Sequence, residues 1–311
     1  MPEPCDLPKV VVICGPTGVG KTGLAIDLAT AFNGEIIGAD SMQIYRYMDI
    51  GTAKPTPVER AAVPHHMIDI ADPDADFSAG RYAAMARDRI GGLHKQGVLP
   101  VITGGTGLYI KACLYGLFRQ RSANNEVLER LNREASQYGP EAVYSRLKDC
   151  DPEAARRINS RDVFRIVRAL EVYETTGKPA SAHQDAHGFA ESRYDALKIC
   201  LYAEREILYD RINTRVEQMM AAGFVDEVKQ LLEMGYSGDL KPMQSIGYRH
   251  VVAYLKGQAS WEETVETMKR DTRRYAKRQL TWFRADPEII WIDKKNNGDK
   301  ARSLVNTFLK Q

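Results

Sequence analysis

The sequence contains few cysteines and no long apolar run. Its five cysteines are dispersed over 311 residues without a CxxC pair, which argues against a disulfide framework and against a structural zinc site. No apolar stretch approaches the roughly 18 residues that a membrane-spanning helix needs. The segment MPEPCDLPK also lacks the basic-then-apolar pattern of a secretion signal. These absences predict a reduced, cytoplasmic and soluble protein that does not associate with a membrane.

The chain also has little net charge. The formal net charge is only +2, although charged residues make up 27% of the sequence. The average charge therefore gives no sign of a polyanionic partner. Any nucleic-acid site must come from local clustering of basic residues.

Short apolar runs predict a set of buried strands with helical patterns between them. The runs are Lys9–Cys14, Glu35–Gly38, Leu99–Thr103, Ala196–Tyr202 and Glu288–Asp293. Strands that alternate with helices predict a parallel sheet covered by helices on both faces, which is an α/β fold. The segment Glu204–Arg284 is predicted to be a helical block before the last strand.

The stretch between the third and fourth predicted strands is too long for a simple crossover. Helical patterns over Asn124–Tyr138, Glu141–Lys148 and Asp162–Thr175 predict an all-helical domain inserted there, with Thr176–Ser192 as its return loop. We therefore predict a core of residues 1–119 and 195–311, and a helical insertion over residues 120–194.

A phosphate-binding loop follows the first predicted strand. The segment Gly15, Pro16, Thr17, Gly18, Val19, Gly20, Lys21 and Thr22 fits the pattern GxxxxGK[ST]. Glycines let backbone N–H groups point at phosphate oxygens, and the helix that follows adds its positive N-terminal end. Lys21 is predicted to neutralise the terminal phosphate, and the Thr22 hydroxyl is predicted to ligate Mg²⁺.

The loop alone does not identify the phosphate compound. An NTPase normally adds an apolar strand that ends in an aspartate, which holds Mg²⁺. Here the third predicted strand runs into Thr103-Gly104-Gly105-Thr106 instead, and the apolar strand that ends near an acid is Glu35–Asp40. The site thus has the phosphate-binding loop of an NTPase without the residues that usually hold Mg²⁺ and the attacking water.

Asp40 lies just past the carboxyl end of the second predicted strand, which is the sheet edge where ligands bind in open α/β folds. It is either a turn or cap residue or, beside a phosphate loop, a catalytic carboxylate. Ser41 and Gln43 follow it and suit a polar acceptor. The glycine turn at Gly104–Gly107 lies on the same edge, and it is either a tight turn or a ligand contact through Thr106.

Two helices carry basic clusters. At 100° per residue, Arg161, Arg165 and Arg168 share one helix face, and Val163, Ile166, Val167 and Leu170 share the opposite one. We interpret the arginine face as an RNA contact. A second cluster places seven basic residues against the single acid Asp271 and favours phosphate binding; its members are Lys269, Arg270, Arg273, Arg274, Lys277, Arg278 and Arg284.

With these features in order, the chain resembles the bacterial tRNA dimethylallyltransferases. The resemblance spans nearly the whole chain and rests on GPTGVGKT (15–22), ADSMQIYRYMDIGTAKP (39–55), PHHMIDI (64–70), TGGTGLY (103–109), RALEVYE (168–174), SIGYRH (245–250) and YAKRQLTWFR (275–284). It implies a P-loop, nucleotide-kinase-like core with an inserted helical domain.

The resemblance also implies an activity: transfer of the dimethylallyl group from dimethylallyl diphosphate to N6 of the adenosine on the 3′ side of the anticodon. Asp40 is then the general base for the weakly nucleophilic adenine amine. The phosphate loop, Mg²⁺ and Thr17 hold the departing diphosphate, with Arg211 or Arg215 as further contacts. The target base is expected to leave the anticodon-loop stack. The chain is expected to act as a monomer.

By motif position, the resemblance assigns contacts with the tRNA anticodon stem-loop. These are Asp40, Ser41, Met42, Gln43, Thr106, Arg161, Phe164, Arg165, Ile166, Val167, Arg168, Gln244, Ser245, Ile246, Gly247, Tyr248, Arg249, Lys277, Arg278, Gln279, Leu280, Thr281, Trp282, Phe283 and Arg284. Phe164 departs from the family pattern, which usually has a polar residue at this position.

Three other functions fit part of the sequence. A P-loop kinase for a small metabolite or nucleotide explains the loop and the sheet but needs neither basic cluster. A prenyltransferase that adds the same group to free AMP or ATP is a closer alternative, yet a free nucleotide needs no arginine-bearing insertion. A non-catalytic RNA-binding protein leaves the phosphate loop unexplained.

Overall fold

The computed structural model describes residues 7–116, 125–187 and 192–311. Its elements fall into two compact units, Met1–Leu114 with Ser192–Gln311, and Tyr115–Glu191. The predicted first residue of the insertion, residue 120, lies in segment 117–124, which is outside the described residues, as is segment 188–191, while its predicted last residue, residue 194, is described.

The first unit is built around a parallel sheet. Within the described residues it has six strands in the order β3-β2-β4-β1-β5-β6. The strands are β1 (Lys9–Cys14), β2 (Gly34–Gly38), β3 (His65–His66), β4 (Leu99–Gly104), β5 (Asp195–Tyr202) and β6 (Ile290–Asp293). The predicted α/β fold is confirmed, and the predicted strands agree with the observed ones to within two residues.

Helices complete the first unit. They are α1 (Lys21–Ala31), α2 (Pro57–Ala62), α3 (Ala79–Lys95), α4 (Gly107–Tyr115), α10 (Arg205–Ala221), α11 (Phe224–Glu233), α12 (Tyr248–Leu255), α13 (Trp261–Arg284) and α14 (Asn297–Lys310). Among them, α1, α3 and α14 pack directly on the strands. The central strand β1 pairs with β4 and β5, with Val11 beside Val101 and Leu197. Because β1 is buried between two neighbours, the phosphate loop that follows it starts from the middle of the sheet edge.

Local sequence explains several helix boundaries. Ser260 begins α13 with a capping box, since its side chain accepts the N–H of Glu263 while the Glu263 carboxylate accepts the N–H of Ser260. Thr56 and Glu59 begin α2 in the same way. The two-residue strand β3 was not predicted, because a pair of histidines at a sheet edge carries no periodic signal.

The second unit is helical. It contains α5 (Asn125–Tyr138), α6 (Pro140–Cys150), α7 (Pro152–Arg157), α8 (Val163–Thr176) and α9 (Ala180–His187) around a core that includes Leu131, Leu147, Ile166 and Leu170. The predicted return loop over Thr176–Ser192 is wrong for residues 180–187. Helix α9 forms there because Ala180 packs into this core and the buried Asp151 accepts the N–H and O–H of Ser181.

No helix in the described parts of the chain is long and apolar enough to cross a membrane.

Candidate active site

The phosphate loop connects β1 to α1 at the carboxyl edge of the sheet. Gly15 has a φ of +140°, and a Cβ there would lie 2.6 Å from the carbonyl oxygen of Leu201 in β5. Gly20 adopts a left-handed conformation just before α1. Glycine is therefore required at both positions. The loop backbone can approach an anion closely while the first turn of α1 presents its free N–H groups.

The ammonium of Lys21 lies inside the site, and no carboxylate among the described residues is bonded to it. Its Nζ donates a hydrogen bond to the Pro16 carbonyl at 2.9 Å. The pKa of Lys21 is lowered to about 8, chiefly by burial and also by the nearby Arg215, while Asp40 opposes the shift. A buried cation whose charge is this poorly compensated favours an anionic ligand.

Helix α10 adds two arginines to the same cavity, which we call the phosphate cavity. Arg211 and Arg215 line it together with Lys21 and Thr22, and its volume is about 650 Å³. Burial lowers the pKa of the Arg215 guanidinium, and the neighbouring Arg211 adds to this effect while Asp40 opposes it. The structure thus brings both predicted arginines to the phosphate loop.

Lys294 is a further cation beside this loop that the sequence did not indicate. It lies in the short turn after β6, and its Nζ occupies the space where a Cβ on Gly20 would lie, 2.6 Å away. Burial and the nearby Arg211 lower the pKa of Lys294. Among the side chains that the structure describes, no carboxylate forms an ion pair with Lys294.

The variant Lys294→Met is expected to lower the affinity of the protein for inorganic diphosphate about tenfold, because a hydrogen bond to a charged group contributes on the order of 1.5 kcal/mol. Titration calorimetry measures this affinity directly. Lys295→Met is the matched control, since Lys295 is its exposed neighbour and lies 3.9 Å from Glu204. Equal affinities of the two variants would remove Lys294 from the site.

Asp40 begins a tight turn after β2. One of its carboxylate oxygens, Oδ1, accepts the N–H of Met42 at 2.9 Å and lies 3.4 Å from the N–H of Gln43. The N–H of Ser41 donates to the Thr106 hydroxyl at 3.0 Å, and the N–H of Thr106 donates to the Ala39 carbonyl at 3.1 Å. The glycine turn therefore holds the Asp40 turn in place. The Thr106 hydroxyl accepts a hydrogen bond from Ser41 within the protein.

A second cavity meets the phosphate cavity at Asp40. It has a volume of about 330 Å³, and its lining includes Ser41, Met42, Gln244, Arg249 and Arg278. Six residues line both cavities, namely Thr17, Asp40, Thr52, Ala53, Arg215 and Tyr275. The carboxylate-bearing residue Asp40 thus lies where the basic phosphate cavity meets the second cavity.

Gln279 connects the phosphate loop to the glycine turn. Its Oε1 accepts the N–H of Thr17 at 2.8 Å, and its Nε2 donates to the Gly105 carbonyl at 2.9 Å. Gln279 is buried on α13, so this side chain is part of the site's framework. Nearby, burial and then Asp40 raise the pKa of the Tyr275 hydroxyl to about 12, so the hydroxyl stays protonated at neutral pH.

The described residues include no group of three or more histidine, cysteine, aspartate or glutamate side chains that could hold a metal ion. Mg²⁺ does not need such a group, because it is commonly bound through one or two protein oxygens together with substrate phosphates and water. Thr22, whose hydroxyl is the predicted Mg²⁺ ligand, lines the phosphate cavity.

Several of the residues assigned to RNA are buried in the protein. Five of these side chains are buried: Ile166, Val167, Tyr248, Gln279 and Phe283. Leu280 is partly buried against the core of the first unit. Ile166 and Val167 lie on the helix face opposite the arginines, and their side chains pack in the core of the helical unit.

The basic cluster on α13 is partly neutralised within the protein. Asp271 pairs with Arg249, Arg270 and Arg274, and Lys269 pairs with Glu217 and Glu266. Partial burial opposes the shift, but hydrogen bonds from Arg249 and Arg270 lower the pKa of Asp271 to about 2. The exposed residues of the cluster's C-terminal half are Lys277, Arg278, Thr281, Trp282 and Arg284.

The helical unit presents its own basic surface. Arg161 is exposed and precedes α8, and the Arg165 side chain is 69% exposed while it pairs with Asp162. Between them Phe164 is 78% exposed. Arg168 instead pairs with the buried Glu171. Of the three arginines on this surface, Arg161 and Arg165 thus have the most exposed side chains.

Comparison with known proteins decides the family. The model of the IPP transferase family matches residues 43–286, and that of the isopentenyl transferases matches residues 8–69. The chain belongs to the IPP transferase family. A tRNA dimethylallyltransferase from Desulfosudis oleivorans is 64% identical over 303 residues, which are 97% of this chain and 96% of the relative. The resemblance that the motifs indicated is therefore confirmed.

Solved structures agree with this family. The tRNA isopentenylpyrophosphate transferase from Bacillus halodurans is 41% identical with a TM-score of 0.72, and the match covers 97% of this chain and 95% of that one. A eukaryotic dimethylallyltransferase acting on tRNA is 30% identical with a TM-score of 0.83, over 97% of this chain and 80% of that one. The family members thus share the parallel-sheet core.

Proposed function

We propose that this family member transfers the dimethylallyl group from dimethylallyl diphosphate to N6 of the adenosine on the 3′ side of a tRNA anticodon, and that it does so as a monomer. The observation that carries the proposal is the meeting of two cavities at Asp40. The basic phosphate cavity suits the diphosphate, and the second cavity suits an extruded adenine. Both are lined by residues of one chain.

The reaction forms a bond between the first carbon of the dimethylallyl group and the adenine N6, and it breaks the bond from that carbon to the diphosphate oxygen. Asp40 accepts the proton that N6 loses, because the carboxylate lies where the two cavities join. The diphosphate leaves with the bonding electrons. Lys21, Arg211 and Arg215 stabilise its growing charge, and the loop N–H groups assist them.

Mg²⁺ fits this arrangement through the Thr22 hydroxyl and the donor's phosphate oxygens. When bound, the ion would neutralise part of the charge on the diphosphate. The described residues offer no group of three or more histidine, cysteine, aspartate or glutamate side chains for it. The Mg²⁺ ion is therefore bound mainly by the diphosphate and only weakly by the protein.

RNA recognition is assigned to exposed side chains. On the first unit these are Lys277, Arg278 and Trp282, with Gln244 and Arg249 at the second cavity. On the helical unit they are Arg161, Phe164 and Arg165. The arginines and lysines contact phosphates, and the two aromatic rings provide surfaces on which unpaired bases can stack.

The direct test incubates the purified protein with unmodified tRNA and labelled dimethylallyl diphosphate in the absence of ATP. The label is expected in the RNA, on a single adenosine, with release of diphosphate. Label in AMP or ATP when these replace tRNA would favour the free-nucleotide enzyme. Phosphate transfer from labelled ATP to a small acceptor, without prenyl transfer, would favour a kinase.

Lys277→Ala is expected to weaken tRNA binding and to reduce the slope of log affinity against log salt by about one, because one phosphate contact is lost. Binding is measured by filter retention at several salt concentrations. Lys95→Ala, on the exposed side of α3, is the control and should leave the slope unchanged. A slope that is also unchanged in Lys277→Ala would place this lysine away from the RNA.

A further inference from the structure

A single carboxylate outside both cavities anchors the loop of residues 49–53, which we call the anchored loop. Glu227 lies on α11, and its two oxygens accept three backbone N–H groups and one hydroxyl. The donors are the N–H groups of Asp49 (2.9 Å), Ile50 (2.6 Å) and Gly51 (3.2 Å), and the hydroxyl of Tyr248 (2.6 Å). Bonds from several donors to one carboxylate hold a backbone segment in a fixed geometry.

The anchored loop is packed tightly against two aromatic rings at Gly51. A Cβ on Gly51 would lie 2.2 Å from the Phe224 ring and 2.6 Å from the Tyr248 ring. Ala53 adopts a φ of +49°, which residues other than glycine rarely adopt. Such backbone strain persists only where the surroundings over-determine the conformation, and it is found at functional sites.

The anchored loop is connected to the Asp40 turn by hydrogen bonds. The Gln43 side-chain amide donates to the carbonyls of Thr52 and Ala53, both at 3.1 Å. The backbone of the same turn donates to Asp40, from Met42 at 2.9 Å. A continuous path therefore leads from Glu227 through the anchored loop and Gln43 to the turn that holds the Asp40 carboxylate.

We propose that Glu227 is a positioning residue for Asp40, acting through the anchored loop and Gln43. The inference rests on the proposed function, because it takes Asp40 as the proton acceptor. Glu227 is not among the residues that line either cavity, so it contacts neither substrate. Two residues of the anchored loop, Thr52 and Ala53, do line both cavities. Loosening this loop displaces the acceptor side of the site and leaves the phosphate loop in place.

The test compares Glu227→Gln with the wild-type enzyme in the full tRNA reaction. The amide has nearly the same shape, but its nitrogen turns a donor toward the donating N–H groups of the anchored loop. We expect kcat to decrease about 10- to 100-fold, since a displacement of about 1 Å can cost on the order of 10²-fold in rate. The KM for dimethylallyl diphosphate and the affinity for inorganic diphosphate should stay within about twofold of wild type.

Hydrogen–deuterium exchange separates this role from a purely structural one. In Glu227→Gln, the amides of residues 49–51 and of Met42 and Gln43 should exchange faster, while the phosphate loop keeps its wild-type protection. Tyr248→Phe removes one of the donors to Glu227 and should cause the same changes to a smaller extent. Glu233→Gln, at an exposed position on α11, is the control and should change neither rate nor exchange.

Two results would overturn the inference. The first is faster exchange at residues 49–51 with an unchanged kcat, which would make Glu227 a loop anchor without influence on catalysis. The second is a loss of diphosphate affinity equal to the loss of kcat, which would indicate general disruption of the fold. The proposed function fails separately, because in that case the wild-type protein itself would transfer no label to tRNA.

Discussion

The variant Asp40→Asn is expected to lower kcat by about 10²- to 10⁴-fold, which is the range that a general base contributes. An asparagine at this position can still accept the N–H groups of Met42 and Gln43 through its side-chain oxygen, so the turn is kept. It cannot take a proton from the adenine amine at neutral pH. The loss of rate therefore isolates proton acceptance from the structural role of the carboxylate.

Asp40→Ala removes the turn bonds as well and should reduce kcat at least as much. In both variants the Kd for tRNA, measured by filter binding, should stay within about threefold of wild type, because most of the affinity comes from phosphate contacts elsewhere. Ser78→Ala serves as the control, since it removes a helix cap on α3 away from both cavities. A large loss of tRNA affinity in Asp40→Asn would make Asp40 a recognition residue instead of a base.

Local patterns in the sequence were enough to predict the framework of the site. The apolar run of β1 followed by Gly15–Thr22 predicted both a strand and a phosphate loop, because each depends on neighbouring residues. Asp40 was predicted for a related reason, since the carboxyl ends of parallel strands meet at one edge. The periodicity of α8 likewise separated Ile166 and Val167 from the arginine face, and the structure has both in a core.

The bonds that complete the site join distant parts of the chain, and no local pattern indicates them. Gln279 contacts the phosphate loop across 262 residues of sequence, and Glu227 contacts Asp49 across 178. In sequence, Gln279 is one polar residue within a basic helix, and its burial depends on how α13 packs. Lys294 follows a short strand, and only the sheet order places it beside Gly20.

Removing the loop lysine should have a comparably large effect. Lys21→Met is expected to lower kcat/KM for dimethylallyl diphosphate by about 10²- to 10³-fold, the range for losing one preorganised donor to a developing negative charge. The methionine side chain fills similar space, and the ammonium it replaces is buried at a cost to folding. The melting temperature should therefore not decrease, and a large decrease would attribute the lost rate to unfolding.

The pH dependence of donor binding provides the second half of this prediction. The pKa of Lys21 in the free protein is lowered to about 8, chiefly by burial. Below this pH the ammonium is charged, and affinity for the donor diphosphate should be constant as far as Lys21 is concerned. Above it the neutral amine must regain a proton on binding, so affinity should fall by up to about tenfold per pH unit.

Isothermal titration of a non-reactive donor analogue from pH 7 to pH 9.5 measures this decrease, and in Lys21→Met the decrease near pH 8 should be absent. Persistence of the same decrease in that variant would assign it to the diphosphate or to another cation, and Lys21 would lose its role as the charged clamp of the leaving group.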